Sequence, residues 1–269
     1  METLSDYGNN VTSQAGEDGI IKEIFKRLEI DKGVFCEFGA LDGIMFSNSK
    51  ELADKGWIGL YIEAGRECGK CVENFKDNPR ITVLKEYVGE FDAMGKTSKV
   101  MEKSFDTICK KSFDKELDFL VIDVDGGDYE IMRGIKKYLP KVLMIECNPF
   151  RHPLDETYYG YVIGDVQESL TVMNQLGEKM GYKMLCWTQN IFFIKEEYYH
   201  LFDVETDMME IFKQGFKGYI QRDEAAVGRM IARMGSKRFG EQETDFIKQT
   251  HALCVEEMKA DGTYTPQII

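Results

Sequence analysis

Acidic side chains placed at the ends of apolar runs are the residues of this sequence best suited to chemistry. Glu37 lies near the end of the run Val34-Phe35-Cys36 and is followed by Phe38-Gly39-Ala40-Leu41-Asp42-Gly43. Glu63 ends a second run, Trp57-Ile58-Gly59-Leu60-Tyr61-Ile62, 20 positions after Gly43. In a βαβ unit this spacing carries a nucleoside-like ligand across two neighbouring strand ends, with glycines admitting the backbone and the acid reaching ribose hydroxyls. A third group, Asp123-Val124-Asp125-Gly126-Gly127-Asp128, follows Phe119-Leu120-Val121-Ile122, and a fourth, Glu146-Cys147-Asn148, follows Val142-Leu143-Met144-Ile145. Three acids within six residues repel one another unless they bind a cation, share a proton or hold a hydroxyl.

The loop between the first two runs selects the ligand. A dinucleotide site needs Gly-x-Gly-x-x-Gly, whose second glycine lets the backbone touch a pyrophosphate. Leu41 stands at that place, with Asp42 beside it. Acids at Glu37, Asp42 and Glu63 suit a ligand without phosphate and with positive charge, such as S-adenosylmethionine, and the expected chemistry is methyl transfer. Gly39 and Gly43 are assigned to backbone approach, Asp42 or Glu37 to the cationic methionyl end, and Glu63 to the ribose. Asp123 and Asp125 form the expected catalytic centre. With Glu146 and Asn148 they are also a candidate Mg²⁺ or Ca²⁺ site, where an ion would acidify or orient a substrate hydroxyl. His152, in Asn148-Pro149-Phe150-Arg151-His152-Pro153, is a candidate general base.

These residues need a scaffold that gathers strand ends on one rim. Ile20, Ile21, Ile24, Phe25 and Leu28 predict an amphipathic helix over residues 13–29, with Asp18 as a cap. Strands are expected at 33–38, at Trp57–Glu63, at Ile81–Leu84, at Phe119–Ile122 and from Val142. Helices are expected between them, around Asn48–Ala53, from Glu67 to Phe75, around Val100–Lys111 and through Ile131, Met132 and Ile135. A helix from Val166 to Met180 then leads to a hairpin of Tyr182–Trp187 and Ile191–Ile194. The uniformly apolar fourth strand belongs in a central, parallel position. The fold class is therefore α/β, a doubly wound, mostly parallel sheet with an antiparallel C-terminal hairpin, and ligands in such sheets collect at strand carboxyl ends.

Bulk properties narrow the partners. The 269 residues, 43% of them apolar, suffice for one large core with an addition. A net charge of −13 argues against nucleic acid and against anionic membrane surfaces. No apolar run approaches the roughly 18 residues of a membrane span, and the start of the chain lacks a basic region followed by an apolar one, so a cytoplasmic location is expected. Seven scattered cysteines match a reducing compartment. Cys68-x-x-Cys71, without a second ligand pair, reads as two small residues on a helix rather than a zinc site.

Beyond these readings, the chain resembles the FkbM-type S-adenosylmethionine-dependent methyltransferases. The resemblance rests on Ser13-Gln14-Ala15-Gly16-Glu17-Asp18-Gly19, Glu37 to Gly43, Ser47-Asn48, Gly56 to Glu63, Ile122 to Tyr129, Val142 to Asn148 and Asn190 to Ile194, in that order over roughly residues 13–202. It implies a Rossmann-like class I methyltransferase domain, placed over 1–202, usually acting on a hydroxyl of a sugar or small metabolite; the resemblance does not reach 203–269, which is expected to be a helical C-terminal extension. In this setting Gln14, Glu17 and Asn48 join the cofactor-binding residues, Gln14 and Glu17 closing the pocket from outside. Ala64-Gly65-Arg66 departs from relatives that carry a proline or another acid after the second-strand acid.

The extension has a different charge. Lys213, Lys217, Arg222, Arg229, Arg233, Lys237 and Arg238 face only Asp223 and Glu224 over residues 211–240. Val227, Met230, Ile231 and Met234 share one helical face, with Arg222, Arg229 and Arg233 on another. A solvated surface is the plain reading; an anionic small-molecule substrate, or a homo-oligomer formed through the C-terminal helices, is the sharper one. Two rival functions use part of the pattern. A metal-dependent glycosyltransferase would employ Asp123 and Asp125 but leave Glu37 to Gly43 and Glu63 idle, and a non-catalytic module would keep the fold alone.

Overall fold

A computed structural model describes residues 3–88, 104–160, 168–234 and 241–265. Seven strands form one sheet: β1 (Val34–Phe38), β2 (Ile58–Ile62), β3 (Ile81–Leu84), β4 (Phe119–Ile122), β5 (Val142–Glu146), β6 (Tyr182–Trp187) and β7 (Asn190–Lys195). Their order is β3-β2-β1-β4-β5-β7-β6. The first five run parallel, and β7 enters antiparallel between β5 and β6. The order reverses between β1 and β4, which is where ligands bind in open α/β sheets.

Alternate residues of each strand enter different layers, as a period of two requires. Cys36, Leu120 and Leu143 pack with α4 (Phe105–Ser112), α5 (Asp128–Gly134) and α6 (Leu170–Lys179). Phe35, Val121 and Met144 pack with α1 (Glu17–Arg27), α2 (Lys50–Asp54) and α3 (Cys68–Phe75). Both faces are thus covered, which explains the unbroken apolar run of β4. The expected α/β fold, parallel with an antiparallel hairpin, is the observed one. Short 3-10 turns at Leu4–Tyr7 and Glu196–Leu201 complete this part.

The C-terminal segment folds into α7 (Met208–Met234) and α8 (Glu241–Asp261). Ile211, Phe212, Phe216, Val227, Met230 and Met234 of α7, with Ile247, Cys254 and Met258 of α8, join the same core layer as Cys36 and Leu143. Helix α7 bends at Asp223 (φ −155°, ψ 80°). There the Asp223 carboxylate accepts the Ala226 N–H at 2.7 Å, an N-cap contact that restarts the helix.

Two elements differ from their expected bounds. Residues 13–16 do not join α1; instead the Asp18 carboxylate accepts the N–H groups of Val11, Thr12 and Ser13 at 2.7–2.8 Å and cinches the loop ahead of the helix. Helix α4 starts at Phe105 because Ser104 caps it through the Thr107 N–H. The expected starts near Val100 and Val166, and Lys237 and Arg238, lie outside the described residues. Among the described residues no helix is long and apolar enough to cross a membrane.

Candidate functional site

A cavity of about 740 Å³ opens at the carboxyl ends of β1, β2, β4 and β5. Its walls include Glu37, Gly39, Leu41, Glu63, Asp123, Asp125, Glu146 and Asn148, so four strand ends do converge as their acids predict. Gln14, Asn48, Glu17, Asp123, Glu146 and Asn148 edge a small adjoining recess. Five described non-glycine residues have positive φ, and three of them line the main cavity: Leu41 (φ 48°), Phe46 (φ 62°) and Asp125 (φ 55°). Such strain persists where surrounding structure over-determines it, and it concentrates at ligand sites.

Gly39 makes the convergence sterically feasible. It has φ +66°, and a Cβ there would lie 1.7 Å from the Asp123 carbonyl oxygen. Gly43 (φ +75°) serves packing instead, since its missing Cβ leaves room for Phe75 and Cys71. Gly43 does not line the cavity, which corrects its assignment to ligand approach.

The loop between β1 and α2 spends its own donors. Ala40 N–H binds the Ile62 carbonyl, Gly43 N–H binds the Ala40 carbonyl, and Leu41 N–H binds the Glu63 carboxylate at 2.8 Å. Ile44 and Met45 N–H both bind the Asp42 carboxylate, at 2.9 and 2.8 Å. A diphosphate needs free amides here, and five are engaged. Asp42 therefore acts as the loop's internal anion and lies outside the cavity lining, which corrects its place at the methionyl end.

Glu63 and Glu37 are buried scaffolding acids that also border the cavity. Glu63 holds the Leu41 and Gly65 amides, linking the loops after β1 and β2. Glu37 accepts the Ser47 hydroxyl at 2.8 Å, the Ser49 hydroxyl at 2.5 Å and the Asn48 N–H at 2.9 Å. Burial pushes its carboxyl above the usual range, while these donors oppose the rise. Asn48 thus meets the site through Glu37 and the recess. Glu17 is similarly committed: it accepts the Ala15 N–H at 2.7 Å, the Thr188 hydroxyl at 2.8 Å and the Asn190 amide at 3.1 Å, tying α1 to the β6–β7 hairpin. Gln14 is exposed on the rim of both hollows.

The remaining acids stand together. Asp123, Asp125 and Glu146 each offer a carboxylate oxygen within 4.8 Å of the others. The carboxyls of Asp123 and Glu146 are held well above the usual range, first by burial and then by neighbouring carboxylates. Asp128 is pushed up to about 6, mainly by burial, against the pull of the Val124 and Gly126 amides that it caps at 3.0 Å. Asn148 donates its amide to Glu146 at 2.8 Å. His152 is elsewhere: its Nδ1 accepts the Leu154 N–H, and its ring packs 4.3 Å from that of Phe246 on α8. It lines neither hollow, which removes the structural basis for a general-base role.

The roof of the cavity comes from α7, through Tyr219, Ala226, Arg229, Met230 and Arg233. Sequence reasoning placed Arg222, Arg229 and Arg233 on one face; the structure separates them. Arg222 lies in a slot bordered by Gly8, Gly16 and Gly218, and burial pushes its guanidinium below its usual range. Met45, Phe46, Phe150 and Gln189 also border the cavity and were not anticipated. Only the positive φ values at the loop would have marked Phe46, and those are invisible in sequence.

Residues 84–184 match the family model of the methyltransferase FkbM domain. That part of the chain is therefore similar to the FkbM methyltransferase domain, and the similarity supports the S-adenosylmethionine-dependent methyltransferase class. No curated protein matches the chain. Among solved structures, a S-adenosylmethionine-dependent methyltransferase from Clostridium acetobutylicum is 7% identical, with a TM-score of 0.44, covering 69% of this chain and 92% of that one. TrmK of M. capricolum, in complex with S-adenosyl-homocysteine, is 10% identical, with a TM-score of 0.43, covering 88% and 96%. Likeness at this level says nothing of this chain's substrate. The FkbM match begins at β3, so the N-terminal element and the glycine loop fall outside it.

Proposed function

We propose that the cavity binds S-adenosylmethionine against the ends of β1 and β2, and that the chain methylates a hydroxyl oxygen of a sugar or other small metabolite. The observation that carries this reading is the loop whose amides are already satisfied by Glu63 and Asp42. It supports a cationic nucleoside ligand and speaks against both a dinucleotide and a sugar-nucleotide diphosphate. The cofactor, when bound, supplies an electrophilic methyl group. Glu63 stands beside the place a ribose would take, and Glu37 adds negative charge toward a methionyl end. Gln14 and Phe46, both exposed at the rim, would close over the bound cofactor from outside.

Methyl transfer is an in-line displacement, so alignment of the acceptor oxygen is the protein's main task. Asp123, at the end of β4 in the cavity wall, is the candidate to take the hydroxyl proton, and it can do so only in its ionised form, which its burial disfavours. Asp125 and Glu146 would orient the same hydroxyl. We extend the proposal to a divalent ion such as Mg²⁺: three carboxylate oxygens from separate side chains are a suitable donor set, with Asn148 at its edge, and an ion there would acidify a hydroxyl.

Calorimetry with S-adenosylmethionine, S-adenosylhomocysteine, NAD and a nucleotide sugar tests the reading. Binding of the first two alone is the expected result. A nucleotide sugar that binds while S-adenosylhomocysteine does not would replace it with the glycosyltransferase reading.

A further inference from the structure

We propose that the part of the cavity beneath α7 is an acceptor subsite for an anionic group, a phosphate or a carboxylate carried by the molecule that is methylated. This rests on the methyltransferase reading and names the substrate class for it. Ala226, Arg229, Met230 and Arg233 all border the cavity. Their spacing of i, i+3, i+4 and i+7 puts them on one face of a helix, and Arg229 and Arg233 are neighbours one turn apart. Two guanidiniums at that separation form a fork suited to oxyanions.

The rest of the wall makes this pair distinctive. Arg229 and Arg233 are the only cationic residues among the described lining, whereas Glu37, Glu63, Glu86, Asp123, Asp125 and Glu146 also line it. The strand ends and the loops beside them thus contribute negative charge to the cavity, and α7 contributes positive charge. A ligand with one anionic end and one hydroxyl end has a single favourable orientation in such a field, which presents its hydroxyl to Asp123. Arg229 and Arg233 are exposed to solvent as well as bordering the hollow, so they stand at its mouth.

The helix is built to hold this placement. After the bend, the Asp223 carboxylate caps Ala226 and pairs with Arg229 Nη2 at 3.2 Å. That exposed contact uses one of the guanidinium's five N–H donors and leaves the others to a ligand. Ahead of the bend, Arg222 seats α7 against Gly8 and Gly16.

The test titrates glucose 6-phosphate, inorganic phosphate, glucuronate and glucose into the wild type and into Arg229→Gln/Arg233→Gln, with and without saturating S-adenosylhomocysteine. Arg229→Lys/Arg233→Lys serves as the charge-conserving control, and S-adenosylhomocysteine affinity reports folding of each variant. The expected result is binding of one or more anions but not glucose, weakened about tenfold or more in the glutamine variant and partly restored in the lysine variant. Preference for glucose 6-phosphate or for glucuronate identifies the anion as phosphate or carboxylate. Equal anion binding by wild type and glutamine variant, no anion binding at millimolar concentration, or glucose binding as well as the anions overturns the subsite. Failure of S-adenosylhomocysteine alone to bind overturns the cofactor reading, and the titrations without it still decide the subsite.

Discussion

The guanidinium of Arg222 occupies the space that a side chain on Gly16 would need. A Cβ on Gly16 would lie 2.6 Å from the guanidinium carbon, and Gly16 has φ +96° at the N-cap of α1. Helix α7 is thereby keyed to the N-terminal Ser-Gln-x-Gly-Glu-Asp-Gly element. Gly8 and Gly218 crowd the same guanidinium, so it has little room to retreat. Gly16→Ala should cost about 2 kcal/mol in urea unfolding, from overpacking and left-handed strain together. Gly16→Ala/Arg222→Ala should cost less than the sum of the two single changes. Strict additivity would show that the two residues do not compete for space.

Glu63 and Asp42 both satisfy loop amides, yet only Glu63 borders the cavity. S-adenosylhomocysteine should raise the Tm of the wild type and of Asp42→Ala by similar amounts, but raise that of Glu63→Ala far less. Asp42→Ala should lower the Tm without ligand, since about 1 kcal/mol of turn stabilisation is lost. Equal ligand-induced shifts in all three proteins would contradict the assignment of Glu63.

The strands and the rim acids were legible because burial and strand ends leave local signatures: an apolar run, then an acid. Glu37, Glu63, Asp123 and Glu146 all reach the rim for this reason. What sequence spacing could not show is which direction a side chain turns inside a loop. Asp42 folds back on Ile44 and Met45, and His152 turns to Phe246, because each finds a partner set by tertiary packing. The basic helix face was visible as a pattern, but the bend at Asp223 decides that Arg229 and Arg233 meet the cavity while Arg222 does not.

Protonation links the acid cluster to stability. Asp123, Asp128 and Glu146 have carboxyls raised in the folded state, Asp128 to about 6. The native protein then holds protons that the unfolded chain releases, so this contribution is full below about pH 4 and drains away as pH rises through 6 and above. In EDTA-containing buffers, the Tm advantage of wild type over Asp128→Asn should shrink from about pH 4 to about pH 6 and level off above that. An advantage that grows over this range would reverse the sign of the argument.

A divalent ion would relieve the same repulsion. At about pH 7.5, where more of these carboxyls are ionised, Mg²⁺ or Ca²⁺ should raise the Tm of the wild type and leave Asp125→Asn and Glu146→Gln little changed. Identical shifts in wild type and variants would mean that the ion acts elsewhere, and the carboxylates then serve the acceptor hydroxyl directly.

Strand β7 is inserted between β5 and β6 although both precede it in the chain. During vectorial synthesis, the acidic strand ends of the hollow emerge before the basic helix that covers them. A nascent chain ending near Phe202 would carry the acid cluster without the wall that α7 supplies, leaving these carboxylates open to water until that helix docks.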